Sequence, residues 1–219
     1  MTVSRLDKGM SFNRSSDRKP KVYTFFTEVK ELNLGTRPFQ LVEYWKEDWS
    51  VKGWDPVVLG PEHAQSHPFY REFYDSIKKI KTTNPFSYES ACFLRHLAMS
   101  AVGGGFMTDT DVFNLTLKED DLPQSDSPLL LWGGHVPCAL VASAQGYEYL
   151  CRAMAPYCTR FSSDMYIMSF FNIPHKGMCT EPPNTSGKII HFAANKIGID
   201  KLTYIKTFMQ KLKNEIKTE

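Results

Sequence analysis

The sequence contains no long apolar run and no apolar leader. No stretch approaches the roughly 20 consecutive apolar residues that a membrane-spanning helix needs. The first twenty residues, MTVSRLDKGMSFNRSSDRKP, are polar and basic and lack the apolar segment of a secretory signal. We therefore expect a cytoplasmic protein without a membrane span, and we interpret residues 1–20 as a flexible N-terminal arm.

A large excess of charge of one sign is also missing. Lysine and arginine together number 26, and aspartate and glutamate 24, which gives a formal net charge of +2. A chain this close to neutral has no bulk electrostatic attraction for nucleic acid, so we expect no nucleic-acid partner. Any anionic ligand must instead be recognised by particular side chains.

Paired cysteine motifs are absent as well. The five cysteines form neither a CxxC pair nor a zinc-like pattern with histidine. They are widely scattered at Cys92, Cys138, Cys151, Cys158 and Cys179. An odd number of scattered cysteines predicts free thiols in a reducing compartment.

What the chain does have is the composition of a globular protein, with 42% hydrophobic and 23% charged residues. We expect one domain over residues 21–219, in which segments of strand and helix character alternate. Strands are predicted within KVYTFFTEV, VVLG, FMTDTDVFNL, PLLLWGG, VPCALVAS and GKIIHFAAN. Helices are predicted at 38–53, 67–80, 84–105 with Ser87 as N-cap, from about 145, at 162–172 with Ser162 or Ser163 as N-cap, and at 200–217 with Asp200 as N-cap. This alternation predicts an α/β fold with a mainly parallel central sheet flanked by helices.

The stretch GGGFMTDTDVFNL, residues 103–115, places Asp109 and Asp111 one residue apart. Side chains two apart on a strand point the same way, so both carboxylates can face one ligand. Two anions held this close repel each other, and a divalent cation relieves that repulsion. The alternative is that Asp-Thr-Asp simply forms a turn. The end of a strand in a parallel sheet is a common ligand position, which favours the ligand interpretation.

A longer run around this pair, SACFLRHLAMSAVGGGFMTDTDVFNL, resembles the sugar-binding region of the DXD-containing glycosyltransferases with the GT-A fold. Members of that family have an arginine-bearing helix that ends in Gly-Gly, then a hydrophobic strand and an Asp-x-Asp pair. The resemblance implies a single Rossmann-like GT-A domain. It also implies an enzyme that moves a sugar from a UDP- or GDP-sugar donor to a glycan or glycoprotein acceptor with Mn²⁺ or Mg²⁺.

The resemblance assigns roles around the cation and the donor. Asp111 would ligate the metal, and Asp109 would contact the ribose or sugar or reach the metal through water. Arg95 would act at the donor sugar and phosphates. His191 resembles a late histidine that supplies a third metal ligand or a phosphate contact, and its alternative is a packed core residue. Many members have an acidic residue three positions before the arginine, where this chain has Cys92.

The base and ribose pocket would lie at the end of the first strand, lined by Thr24, Phe25, Phe26 and Thr27. Core packing is the alternative for the two phenylalanines. Asp164 resembles an aspartate that opens a helix beside the acceptor, and it is the candidate general base if the reaction inverts the anomeric configuration. Its alternative is a helix N-terminal charge.

Trp132, in LWGGHVP with His135, is a candidate for stacking on an acceptor sugar, with core packing as its alternative. Two other functions remain open for the whole chain. One is a phosphatase of the Asp-x-Asp type, although in those enzymes the motif normally lies at the first strand. The other is a non-catalytic module that binds a sugar or a nucleotide.

Overall fold

A computed structural model of the protein describes residues 18–32, 37–132, 136–160, 163–193 and 200–216. Residues 1–17 of the predicted arm therefore lie outside the described residues, as do His135 and the candidate cap Ser162. Among the described helices, none is both long and apolar enough to cross a membrane.

Strands and helices follow one another much as the hydrophobic pattern predicts. The strands are β1 (Lys21–Phe25), β2 (Asp55–Leu59), β3 (Gly104–Thr108), β4 (Val112–Asn114), β5 (Leu129–Leu130), β6 (Ala139–Ser143), β7 (Cys179–Thr180) and β8 (Ile189–His191). The helices are α1 (Arg37–Val51), α2 (Pro61–Gln65), α3 (Tyr70–Ile77), α4 (Phe86–Ala101), α5 (Ala144–Met154), α6 (Asp164–Met168) and α7 (Lys201–Ile216). The α/β class is thus confirmed.

The central sheet has the strand order β2-β1-β3-β6-β5 and is mixed. β1 runs parallel to β2 and β3, whereas β6 runs antiparallel to both β3 and β5. The prediction of a mainly parallel sheet therefore needs correction. Residues 131–138 connect β5 to β6, and this connection is shorter than the dozen or more residues of a parallel crossover.

The predicted single strand 106–115 is in fact two strands in different sheets. β3 ends at Thr108, and β4 pairs antiparallel with β8 in a second sheet of order β4-β8-β7. Between them the N–H of Asp109 donates to the Cys138 carbonyl at 2.8 Å, and the N–H of Val112 donates to the Asp109 carbonyl at 3.1 Å. The second bond turns the chain, so the Asp-Thr-Asp sequence is also a turn.

The starts of α4 and α6 each have an identifiable cause. Ser163 is the N-cap of α6, and its hydroxyl accepts from the N–H of Tyr166 at 3.3 Å. The predicted cap Ser87 is wrong: α4 begins at Phe86 with Pro85 in the N-cap position. Proline suits a helix start because it has no N–H to leave unpaired. The Ser87 hydroxyl instead donates to Glu31 at 2.9 Å.

Two apolar cores lie on opposite faces of the central sheet. The neighbouring β3 residues Phe106 and Met107 point to different cores, as alternate strand residues must. Met107 faces the core built by α2 to α5, and Phe106 faces the core that contains residues of α1, β4, β8 and α7. Helices thus cover both faces of the sheet and hold the carboxyl end of β3 in place.

Candidate metal centre

The aspartate pair lies where the two sheets meet. Asp109 follows the last residue of β3, and Asp111 precedes the first residue of β4. β1 and β3 are parallel, with Tyr23 opposite Met107, so the carboxyl end of β1 lies at the same sheet edge as Asp109. This is the edge at which the sequence predicts a ligand.

Three tryptophan indoles hold the chain on both sides of the pair. Each indole N–H donates to a partner 63 residues later in the sequence. The bonds join Trp45 to the Thr108 hydroxyl at 3.1 Å, Trp49 to the Val112 carbonyl at 3.2 Å, and Trp54 to the Leu117 carbonyl at 3.3 Å. All three indoles are buried, so the backbone around the aspartates is fixed by α1 and the turn that follows it.

Asp109, Asp111 and His191 each present one ligand atom within 4.8 Å of the others. β8 brings His191 there, because His191 pairs with Val112, the residue after Asp111. The His191 Nε2 lies 3.4 Å from Asp111 Oδ1. The structure thus brings together the three residues that the sequence analysis named as metal ligands.

The surroundings of His191 are those of a packed core residue, the stated alternative to a metal ligand. His191 is only 4% exposed, and its ring meets Trp132 edge to face at 5.7 Å. Trp132 accordingly packs against the core rather than standing free on the surface. His191 is therefore both a packed residue and a member of the polar cluster.

Lys201, the first residue of α7, adds a positive charge that the sequence analysis did not place here. Its Nζ lies 2.5 Å from Asp111 Oδ2. Burial alone would raise the pKa of the Asp111 carboxyl, but His191 and Lys201 hold that pKa below its usual range. Burial alone would lower the pKa of His191, but the Asp111 carboxylate raises it to about 11.

Arg95 organises the other half of the site from the middle of α4. Its Nη1 lies 2.5 Å from Asp109 Oδ1, its Nη2 lies 2.7 Å from Asp164 Oδ2, and its Nε donates to the Cys92 carbonyl at 2.9 Å. Burial raises the pKa of Asp109, although Arg95 opposes that rise. Arg95 thus joins Asp109 and Asp164 through one guanidinium.

Asp164 lies in the first turn of α6, as predicted, and both of its carboxylate oxygens are engaged. Oδ1 accepts from the N–H of Met165 at 2.7 Å, and Oδ2 lies 3.2 Å from His96 Nε2 as well as close to Arg95. Burial alone would raise the pKa of Asp164, but Arg95 and His96 lower it to about 2. A carboxylate this acidic is a weak base, so its surroundings suit the positioning of Arg95 better than proton abstraction.

The candidate nucleotide pocket is only partly open. Thr24 is fully buried, and its hydroxyl has no hydrogen-bond partner among the described residues. Phe25 packs against one apolar core, and Phe26 meets Phe39 edge to face at 5.1 Å. Packing therefore accounts for much of both rings, while Phe26 and Thr27 remain partly exposed beyond β1.

The chemistry of the cluster fits a hard divalent cation. Two carboxylates and an imidazole are donors that Mn²⁺ accepts, and the carboxylates also suit Mg²⁺. Asp111 Oδ1 and His191 Nδ1 are buried and make no hydrogen bond to another described residue. Asp111 Oδ1 has the 3.4 Å ion-pair contact with His191 Nε2 but no hydrogen bond within the described residues, and a bound cation would satisfy it more fully. Ligation by His191 would release its proton, as metal binding does at imidazole ligands.

Sequence reasoning missed Lys201 and His96. Lys201 lies ninety residues after Asp111. It begins an amphipathic helix, where lysines are common and give no indication of a functional role. The predicted N-cap Asp200 is confirmed by its bond from the N–H of Leu202 at 3.2 Å, and this capped start fixes where Lys201 emerges. The only feature of the sequence that could have suggested a role for His96 in the site is its position directly after Arg95.

Fold and site together define an α/β protein with a candidate Asp–Asp–His metal centre at the end of a parallel strand. The chain belongs to a family described as a domain of unknown function, DUF8765, whose match covers residues 5–125, more than half of the sequence. The matched region contains Arg95, Asp109 and Asp111 but ends before Asp164, His191 and Lys201. No curated protein matches the chain.

Proposed function

We propose that the protein is a metal-dependent glycosyltransferase that moves a sugar from a UDP- or GDP-sugar to a hydroxyl group of a glycan or glycoprotein acceptor. The observation that carries the proposal is the convergence of Asp109, Asp111 and His191 within 4.8 Å at the carboxyl end of β3. The resemblance of residues 90–115 to the DXD-containing glycosyltransferases supplies the reaction class.

Asp109, Asp111 and His191 would hold Mn²⁺ or Mg²⁺. When bound, the cation neutralises the negative charge that develops on the leaving diphosphate. The protein contributes a preformed set of oxygen and nitrogen ligands, held by the indole bonds to Thr108 and Val112. A backbone fixed in advance confines the reorganisation on cation binding to side chains, such as the loss of the His191 proton.

Arg95 serves this centre mainly by fixing Asp109. A guanidinium has five N–H groups, and the contacts to Cys92, Asp109 and Asp164 use three of them. The remaining donors can meet a ligand oxygen next to Asp109. Thr24, Phe25, Phe26 and Thr27 lie at the same sheet edge and would receive the base and ribose.

The test is calorimetric titration of Mn²⁺ and of UDP or GDP, followed by assays of nucleotide-sugar hydrolysis and transfer. We expect Asp111→Asn to abolish metal-dependent nucleotide binding and turnover, because a carboxamide is a weak, neutral ligand for a hard cation. Asp109→Asn should do so less completely. Asp75→Asn is the matched control, since Asp75 is an exposed α3 carboxylate that pairs only locally with Lys78.

Wild-type Mn²⁺-dependent nucleotide binding in Asp111→Asn would contradict the proposed centre. A panel of UDP- and GDP-sugars, read by Mn²⁺-dependent thermal stabilisation, would identify the donor.

A non-catalytic nucleotide-sugar-binding module is the second candidate. It is favoured by the fact that both aspartates already have cationic partners, Asp109 in Arg95 and Asp111 in Lys201. Tight binding of a nucleotide sugar, with neither hydrolysis nor transfer across an acceptor panel, would support this second function over the first.

A further inference from the structure

Lys201 is the cationic partner of the second oxygen of the Asp111 carboxylate. Its Nζ lies 2.5 Å from Asp111 Oδ2, while Oδ1 faces His191. The Asp111 side chain is only 13% exposed, so few directions of approach remain. The Lys201 ammonium is therefore a counter-ion of Asp111, the principal metal ligand of the proposed centre.

An ammonium at one oxygen of this carboxylate and a divalent cation at the other repel each other. The repulsion between a double and a single positive charge is twice that between two single charges at the same distance, and partial burial weakens the screening. A metal ion bound at Asp111 therefore weakens the Lys201–Asp111 pair. Its side chain is 31% exposed and has a flexible four-carbon stem, so the ammonium can swing away while α7 stays in place.

α7 itself is well anchored. Leu202, Ile205 and Met209 are buried, and Asp200 caps the start of the helix. The displaced ammonium thus stays within a side-chain length of the centre. An anion bound to the metal would be a new partner within its reach.

We propose that Lys201 exchanges partners, from the Asp111 carboxylate in the metal-free protein to a phosphate oxygen of a metal-bound diphosphate. This inference rests on the metal centre of the proposed function and adds a mechanism that couples its two ligands. Metal alone weakens the Lys201–Asp111 pair without giving the ammonium a new partner. Metal with diphosphate gives the ammonium an anion, so each ligand strengthens the binding of the other.

The neighbouring cations do not share this arrangement. Arg95 is buried and bonded to Asp109 and Asp164, so it cannot move freely. Lys188 pairs with Asp121, and Lys206 lies over the ring of Tyr44 at 5.3 Å. Lys206, one turn and a half along the same helix, provides a matched control.

The experiment titrates Mn²⁺ alone by calorimetry, and then inorganic pyrophosphate at a fixed free Mn²⁺ concentration, which removes the effect of chelation in solution. The proteins are wild type, Lys201→Met, Lys201→Gln and the control Lys206→Met. Two substitutions at position 201 guard against a local defect of one of them. Melting temperature with and without Mn²⁺ gives a second readout.

We expect both Lys201 variants to bind Mn²⁺ alone about tenfold more tightly than wild type and to bind pyrophosphate about tenfold more weakly at saturating Mn²⁺, within the usual range of coupling between sites. Lys206→Met should change neither value. Unchanged or weaker Mn²⁺ affinity in both Lys201 variants would overturn the exchange, and so would undiminished pyrophosphate affinity. Absence of Mn²⁺ binding in all four proteins would overturn the metal centre itself and with it the proposed function.

Discussion

Arg95 and Asp164 form a buried ion pair across 69 residues of sequence, with Nη2 and Oδ2 2.7 Å apart. The pair ties the middle of α4 to the first turn of α6. Because Arg95 also holds Asp109, the pair determines where one of the candidate metal ligands lies. Asp164 thereby acts on the centre through Arg95.

Asp164→Asn should therefore damage both stability and ligand binding. Removing one partner of a buried pair costs about 3–5 kcal/mol of the free energy of unfolding, and we expect the lower end of this range because Asp109 still pairs with Arg95. Urea unfolding measures this loss, and Asp75→Asn should show no comparable change. If Asp164 positions Arg95, affinity for the nucleotide sugar falls together with the rate of transfer.

The general-base hypothesis for Asp164 predicts a different pattern. Donor affinity would stay intact in Asp164→Asn while the transfer rate fell by roughly two or more orders of magnitude, the scale of general-base catalysis. Comparison of KM and kcat in the folded variant separates the two roles.

Arg95→Lys should weaken Mn²⁺ and donor binding although the charge is kept. An ammonium is a point charge and cannot span Asp109, Asp164 and the Cys92 carbonyl with fixed planar geometry. We expect at least a tenfold loss of donor affinity, on the order of the 1.4 kcal/mol that one such contact contributes. Calorimetry checks this, with Arg152→Lys in the exposed pair with Glu148 as control. If Arg95→Lys bound Mn²⁺ and the donor with wild-type affinity, the role of Arg95 would be structural only.

Part of the site was predictable because its signals are local. Asp109 and Asp111 form a short motif, and the position of Asp164 follows from the capping pattern of Ser163. The pairing of Arg95 with Asp164 was not predictable, since it depends on how α6 packs beside α4. The role of Lys201 was not predictable either. The sequence of an amphipathic helix shows which face is buried but not which distant carboxylate its first residue contacts.

The fold, like the site, was predictable only where its signals are local. Hydrophobic periodicity located α4 and α7, because the apolar face of a helix can be recognised from the sequence of that helix alone. It did not reveal the antiparallel direction of β6 or the transfer of β4 to a second sheet. Both depend on hydrogen-bond partners far along the chain, such as β8 for β4.

His191→Ala should weaken Mn²⁺ binding and also lower the melting temperature. The side chain is a candidate ligand, but it is also buried against Trp132, so its removal leaves a cavity. Both quantities should be measured on one sample. A lower melting temperature with unchanged Mn²⁺ affinity would restrict His191 to packing and end its assignment as a ligand.

Gly104→Ala should be far more destabilising than Gly103→Ala. Both glycines have positive φ, +82° and +100°, which costs alanine about 1–3 kcal/mol. At Gly104 a Cβ would also lie 2.5 Å from the backbone nitrogen of Ala144, whereas at Gly103 it would meet nothing within 4 Å. Denaturant unfolding of the two variants provides a matched comparison, and equal losses would show that the β3–α5 contact can relax.

The indole bonds of Trp45 and Trp49 to the residues on either side of the aspartate pair, with Trp132 against His191, also give the centre an optical reporter. Tryptophan emission depends on the polarity and hydrogen bonding around the indole, and a paramagnetic ion quenches it at short range. Mn²⁺ held at Asp109 and Asp111 would therefore quench the emission of these tryptophans, whereas diamagnetic Mg²⁺ in the same place would leave most of the emission intensity. The intrinsic fluorescence of an unlabelled sample can thus distinguish a cation in the centre from one on a distant surface.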